Sequence, residues 1–280
     1  VTGKQTFGLV GHKIGYSKSP DIFSSIFRHS QIDGEFRLFD LTPEAFEGQF
    51  RRLLGDSLTG LAVTIPYKQR VMAYLDELDP VAKLLGAVNS ISIRNGRTIG
   101  FNTDAFGFSL PLRPHAALLN QGSAIIFGSG GGARAAICSL RTDYNLLKFL
   151  VVGRSSHKLA QFREAMTECL GNATIDLCLA ENTAKIIESS YDVVVNCTPL
   201  GGWNAPNASP LPEGFRWRKG KVYYDLNYNS GNVLVDEAVR EGLSSIDGSG
   251  MLVGQAIRSW HLWTGLQAEF DPVYADVFAQ

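Results

Sequence analysis

The sequence of 280 residues predicts a two-domain α/β protein with an open sheet in each domain. Three observations carry this. Short apolar runs that stop at glycine or a polar residue alternate with stretches whose apolar residues recur every three to four positions. The alternation restarts after Asp104 with a second apolar run. That run ends in a glycine-rich loop at the opening of a helix. The expected division is residues 1–104 with 248–280, and residues 105–247 between them. The terminal helices are expected to return to the first domain, because they follow the break Gly248-Ser249-Gly250.

In chain order, residues 6–10 form an apolar strand ending at Gly11. Ser19-Pro20 reads as an N-cap followed by proline at the first helical position. Ile22, Phe23, Ile26 and Phe27 give that helix one apolar face. Strands are expected over 36–41 and 61–65, with a helix over 46–54 between them. Two short strands, 88–93 and 98–101, flank the hairpin turn Asn95-Gly96. The second series places strands at 123–127, 147–152, 191–196 and 221–225, and helices at 133–140, 157–170 and 233–241. The last helices are expected over 251–266 and from Pro272 to the end. Alternating strands and helices argue for parallel sheets covered on both faces.

A net charge of −1, with 19% charged and 45% hydrophobic residues, calls for neither nucleic acid nor an anionic membrane as partner. Cys138, Cys169, Cys178 and Cys197 show no C-x-x-C spacing and have no histidine at ligand spacing. They read as free thiols in a reducing compartment, with no metal site. No apolar run reaches the ~18 residues of a membrane span, and no secretory signal opens the chain. The cytoplasm is the expected location. A start at Val1 is expected of a trimmed chain or of a piece of a longer polypeptide.

The sharpest local signal is Gly128-Ser129-Gly130-Gly131-Gly132-Ala133-Arg134, a G-x-G-x-x-A pattern between strand and helix. Gly128 permits the tight turn, Gly130 lets the backbone approach a pyrophosphate, and Ala133 lets helix and strand pack closely. The free N–H groups at the helix start favour phosphates. The pattern predicts a Rossmann-like dinucleotide-binding domain. After the next strand, an NAD site usually carries an acidic residue for the ribose hydroxyls. Here Gly153-Arg154-Ser155-Ser156 follows, with Lys158 one turn on and no carboxylate before Glu164. Cations and hydroxyls suit a 2′-phosphate, so NADP is the expected cofactor.

Four segments put polar groups at strand ends or helix starts in the first domain. They are Gly15-Tyr16-Ser17-Lys18-Ser19-Pro20, Val63-Thr64-Ile65-Pro66-Tyr67-Lys68, Gly86-Ala87-Val88-Asn89-Ser90 and Phe101-Asn102-Thr103-Asp104. Singly, each has an ordinary reading as a cap, a turn or a solvated lysine. Together they offer hydroxyls, an amide, an ammonium and a carboxylate, an inventory suited to a small polyol acid. The five histidines are scattered, and G-x-S-x-G does not occur.

From about Phe7 to Leu266 these segments resemble the shikimate dehydrogenase family. Asn196-Cys197-Thr198-Pro199-Leu200-Gly201, Tyr224-Asp225-Leu226-Asn227-Tyr228 and Gly248-Ser249-Gly250-Met251-Leu252-Val253-Gly254-Gln255-Ala256 share the resemblance. It implies NADP-dependent interconversion of 3-dehydroshikimate and shikimate in aromatic amino acid biosynthesis. By motif, Ser17 and Ser19 would hold the substrate carboxylate with Tyr228 near it. Thr64, Asn89, Asp104 and Gln255 would hold ring hydroxyls, and Lys68 with Asp104 would form the catalytic pair. Gly128, Ser129, Gly130, Gly131, Gly132 and Leu226 would line the cofactor, Gly248 and Met251 its nicotinamide, and Arg154, Ser155 and Lys158 its adenosine phosphate. The sequence departs from the family pattern at Ala62, Gly153 and Ser155. Quinate/shikimate and aminoshikimate dehydrogenases are the neighbouring alternatives, and a non-catalytic ligand sensor is the alternative of another class. The resemblance is compatible with a monomer or a homodimer, and with fusion to a preceding dehydroquinase domain.

Overall fold

A computed structural model describes residues 4–55, 57–203, 205–229 and 231–279. The chain forms two compact units. One runs to Gly107 and resumes at Leu252, and the other spans Phe108–Met251.

The first unit contains β1 (Gln5–Gly11), α1 (Ser19–Ser30), β2 (Gly34–Asp40), α2 (Phe46–Gly55), β3 (Leu58–Val63), β4 (Glu77–Leu78), α3 (Pro80–Leu85), β5 (Ser90–Arg94), β6 (Arg97–Phe101) and the start of α4 (Asp104–Ser109). Its six strands lie in the order β2-β1-β3-β5-β6-β4. The parallel arrangement expected of alternating strands and helices holds for β2, β1 and β3, and β5 runs antiparallel to both β3 and β6. The reason is local. Asn95 and Gly96 sit at φ 51° and 74°, the left-handed pair that a two-residue hairpin needs, so the chain reverses there without a crossover helix. One sheet face packs Phe46, Phe50, Tyr67 and Val71. The cap of α1 differs from expectation. Lys18 is the N-cap, Ser19 is already helical, and the Ser19 N–H donates to Ser17 Oγ at 3.2 Å.

The second unit adds α5 (Ala116–Leu119), β7 (Ser123–Phe127), α6 (Gly131–Thr142), β8 (Lys148–Gly153), α7 (Ser156–Leu170), β9 (Thr174–Leu179), α8 (Thr183–Glu188), β10 (Val193–Asn196), β11 (Val222–Asp225), α9 (Val233–Arg240) and β12 (Ser244–Ile246). Its sheet is parallel throughout, in the order β12-β11-β10-β7-β8-β9. Chain order reverses between β7 and β10, and the glycine-rich loop leaves β7 at this switch point. Ligands of open α/β sheets bind beyond such strand ends.

α10 (Gly248–Thr264) begins in the second unit and continues into the first, followed by α11 (Phe270–Phe278). The helix expected from Pro272 to the end thus starts earlier, and Gln280 lies outside the described residues. The terminal helices return to the first unit, as expected. Trp260 and Trp263, both fully buried, meet Phe7 with ring centroids at 5.5 Å, and Trp263 stacks on Phe23 at 5.2 Å. Aromatic burial of this extent makes the helices part of that core. The four cysteines are free, and no helix among the described residues is long and apolar enough to cross a membrane.

Candidate active site

In the first unit, three of the four polar segments meet at the start of β5 and the end of β6, those of Lys68, Asn89 and Asp104. Lys68 Nζ donates to Asp104 Oδ2 at 2.6 Å, the lysine partly exposed and the aspartate buried. The other oxygen, Asp104 Oδ1, accepts from Asn89 Nδ2 at 2.8 Å. The main chain holds the same three residues. Val88 N donates to Lys68 O at 2.7 Å, Asn89 N to Phe101 O at 3.0 Å, and Asp104 N to Asn102 Oδ1 at 3.0 Å. Asn89 faces inward. Its amide nitrogen serves both Asp104 and Thr103 Oγ1, while its oxygen accepts the Thr103 N–H at 2.7 Å. Thr103 Oγ1 then meets Ser259 Oγ of α10 at 3.2 Å. A charge-assisted pair with its second carboxylate oxygen already satisfied has a fixed geometry, so Lys68 presents its remaining N–H donors from a held position.

Ser17 Oγ donates to Ser19 Oγ at 3.1 Å just before α1, with Ser17 half-buried and Ser19 buried. Thr64 is half-buried on the loop between β3 and Lys68. Gln255 is on α10, its Nε2 donating to Leu252 O at 3.0 Å. Tyr228 belongs to the second unit, beyond β11, as do Leu226, Gly248 and Met251.

The glycine-rich loop of the second unit has the backbone its sequence demands. Gly128 takes φ 106°, and its N–H donates to Val152 O at 2.8 Å. Gly130 is the N-cap of α6, and a Cβ on Gly130 or Gly131 would meet nothing within 4 Å. Ala133 is fully buried, which keeps α6 close to the sheet. After β8, Arg154 is exposed, and Ser155 caps α7 by accepting the Lys158 N–H at 3.4 Å.

The chain matches the shikimate dehydrogenase substrate binding domain over residues 9–91 and the shikimate 5′-dehydrogenase C-terminal domain over residues 248–277. It is 36% identical to the shikimate dehydrogenase (NADP(+)) of Chlorobaculum tepidum over 287 aligned positions, covering 99% of this chain and 96% of that protein. The chain belongs to the shikimate dehydrogenase family. Another relative, the shikimate dehydrogenase (NADP(+)) of Methanococcus maripaludis, is 32% identical, covering 96% of this chain and 94% of its own length. Among solved structures, a shikimate 5-dehydrogenase from Thermus thermophilus in complex with NADP(H) and shikimate superposes with a TM-score of 0.84 at 28% identity, covering 98% of each chain. A ligand-free 5-ketofructose reductase of Gluconobacter also superposes, with a TM-score of 0.84 at 23% identity over 99% of each chain, which speaks to the fold alone.

Within a shikimate dehydrogenase family member, the open space over Gly130 and Gly131 has the character a pyrophosphate needs. Backbone N–H groups at a helix start lie there with no side chain in the way. Sequence reasoning missed a second polar centre in this unit. Asp225 is fully buried at the end of β11. Its carboxylate accepts from Asn196 Nδ2 at 3.0 Å, Tyr223 Oη at 2.7 Å, and Asn227 N and Nδ2 at 2.9 and 2.7 Å. Asn227 O in turn accepts the Gly248 N–H at 2.9 Å, which fixes the start of α10. A signal was present in Asp225-Leu226-Asn227, a buried acid followed two residues later by an amide. Only strand pairing reveals that Asn196 lies opposite Asp225.

Proposed function

We propose that this chain is an NADP-dependent shikimate dehydrogenase that interconverts 3-dehydroshikimate and shikimate in aromatic amino acid biosynthesis, in the cytoplasm. The observation that carries the reading is the 2.6 Å Lys68–Asp104 pair, held by Asn89, in a member of this family. NADP, when bound, supplies or accepts the hydride. The residues of the chain manage the proton. Lys68 gives a proton to the carbonyl oxygen in reduction and receives it from the alcohol in oxidation. Asp104 orients the Lys68 ammonium and offers its carboxylate to a substrate hydroxyl. Asn89 acts first as the residue that positions Asp104, because both its N–H groups are engaged inside the protein.

Ser17 and Ser19 hold the substrate carboxylate with their hydroxyls, Tyr228 assists them, and Thr64 and Gln255 take ring hydroxyls. The glycines from Gly128 to Gly132, with Ser129, cradle the pyrophosphate. Leu226, Gly248 and Met251 face the nicotinamide, and Arg154, Ser155 and Lys158 take the adenosine phosphate. The deciding experiment measures steady-state rates with shikimate and with quinate, each with NADP and with NAD. The expected result is the highest kcat/KM for shikimate with NADP. Dominant quinate turnover would move the chain to the quinate/shikimate alternative. Binding of shikimate without any turnover would make it a sensor.

A further inference from the structure

Beyond the end of β8 lies a cavity of about 460 Å³ lined by Arg154, Ser155, Ser156, Leu179, Ala180 and Glu181. Its cationic side was legible in sequence, whereas its anionic side comes from another strand. Gly153 pairs with Leu179 at the ends of β8 and β9, and the Ala180 N–H donates to Gly153 O at 2.9 Å. This bond ties the Glu181 turn to the backbone that precedes Arg154. The turn closes as Asn182 N donates to Leu179 O at 2.9 Å. Among the described residues, none of Arg154, Lys158 and Glu181 is engaged in an ion pair with a side chain of the protein. An exposed guanidinium, two hydroxyls and an exposed carboxylate therefore line one cavity, and their charges are available to a ligand.

We propose that Glu181 is a specificity-determining residue of the cofactor site that opposes a 2′-phosphate and favours a free ribose 2′-hydroxyl. The inference rests on the dinucleotide reading of this unit. A phosphate monoester carries close to two negative charges at neutral pH, and a carboxylate in the same small cavity repels it. A hydroxyl donates a hydrogen bond to the same carboxylate at no such cost. Arg154 and the N-terminus of α7 act in the opposite sense. Glu181, after the strand that neighbours β8, thus narrows the discrimination that Arg154, Ser155, Lys158 and the start of α7 create.

The test uses the full chain and two fragments that isolate this end of the cofactor, adenosine 2′,5′-bisphosphate and 5′-AMP, titrated calorimetrically. In Glu181→Gln the preference for the bisphosphate should rise about fivefold over that of the unaltered protein, and the gain should shrink in 1 M salt, where the Debye length is about 3 Å. Glu181→Ala serves as a second variant, with the melting temperature of each protein confirming its fold. An unchanged ratio of the two affinities in both folded variants overturns the role of Glu181 and leaves the cofactor reading standing. Binding of neither fragment by the unaltered protein overturns the cofactor reading, and this proposal with it.

Discussion

Lys68 and Asp104 are 36 residues apart in sequence, yet their side chains meet at 2.6 Å. Asp104 uses one carboxylate oxygen for Lys68 and the other for Asn89. The aspartate is therefore held from behind, and the lysine, with a quarter of its side chain exposed, is the member open to a ligand. This asymmetry supports the proposed roles, proton transfer for Lys68 and orientation for Asp104.

Replacing Lys68 by alanine should lower kcat by ~10²-fold or more, the scale of losing a general acid–base group. The KM for shikimate should change less. Steady-state kinetics at saturating NADP checks this, and near-normal turnover would remove Lys68 from the chemistry.

The paired hydroxyls of Ser17 and Ser19 stand where α1 begins. Ser17→Ala should raise the KM for shikimate by roughly tenfold or more, about what one lost hydrogen bond to a charged group predicts, and leave the KM for NADP nearly unchanged. Equal effects on both constants would take the pair out of the substrate site.

With Arg154 intact, kcat/KM should favour NADP over NAD by ~10²-fold, equivalent to about 2.7 kcal/mol of differential binding. Arg154→Ala should erase most of this preference while sparing activity with NAD, because the charge-assisted hydrogen bonds proposed for the guanidinium go to the 2′-phosphate, which NAD lacks. Equal use of both cofactors by the unaltered enzyme would reduce Arg154 to a surface residue.

At Gly248 a Cβ would lie 2.2 Å from the backbone oxygen of Leu226. Backbone cannot yield as a flexible side chain does, so Gly248→Ala should cost about 1–3 kcal/mol or more. Urea unfolding measures the loss. An unchanged midpoint would mean that the start of α10 shifts freely.

Asp276 of α11 ties that helix to α1. Its Oδ2 accepts from Ser25 Oγ at 2.5 Å, His29 Nε2 at 2.9 Å and an Arg28 guanidinium nitrogen at 3.1 Å. The hydrogen bonds from Ser25 and then His29 hold its carboxyl below the usual carboxylate range. A lowered folded-state pKa stabilises the protein above the unfolded value, near 3.9, and that contribution is lost as pH falls through the folded value. Asp276→Asn should therefore flatten the acid limb of stability against pH below about pH 4. Denaturant midpoints between pH 3 and 7 would show it, and parallel limbs for the two proteins would count against it.

What the sequence by itself determined is what chain neighbours decide. The strand, loop and helix around Gly128 need only an apolar run, glycines and a small residue in order. The Asn95-Gly96 hairpin needs only two residues that tolerate positive φ. The apolar face of α1 and the cationic stretch after β8 are likewise written in consecutive positions. The family motifs also named Lys68, Asn89 and Asp104 together. Tertiary structure decided the rest. Strands as short as Glu77–Leu78 and Ser244–Ile246 exist because neighbouring strands offer them partners, since so few residues carry no period of their own. Ser19 reads as a cap, yet Ser17 takes its N–H and the helix begins one residue earlier. The inward turn of Asn89 depends on Thr103 and Asp104, fourteen and fifteen residues away. A search along the chain after β8 finds no nearby carboxylate, but parallel pairing of β8 with β9 brings Glu181 to the same cavity as Arg154. Local pattern reports backbone preference and burial, whereas the charges that share a cavity are set by strand register, which joins residues distant in sequence.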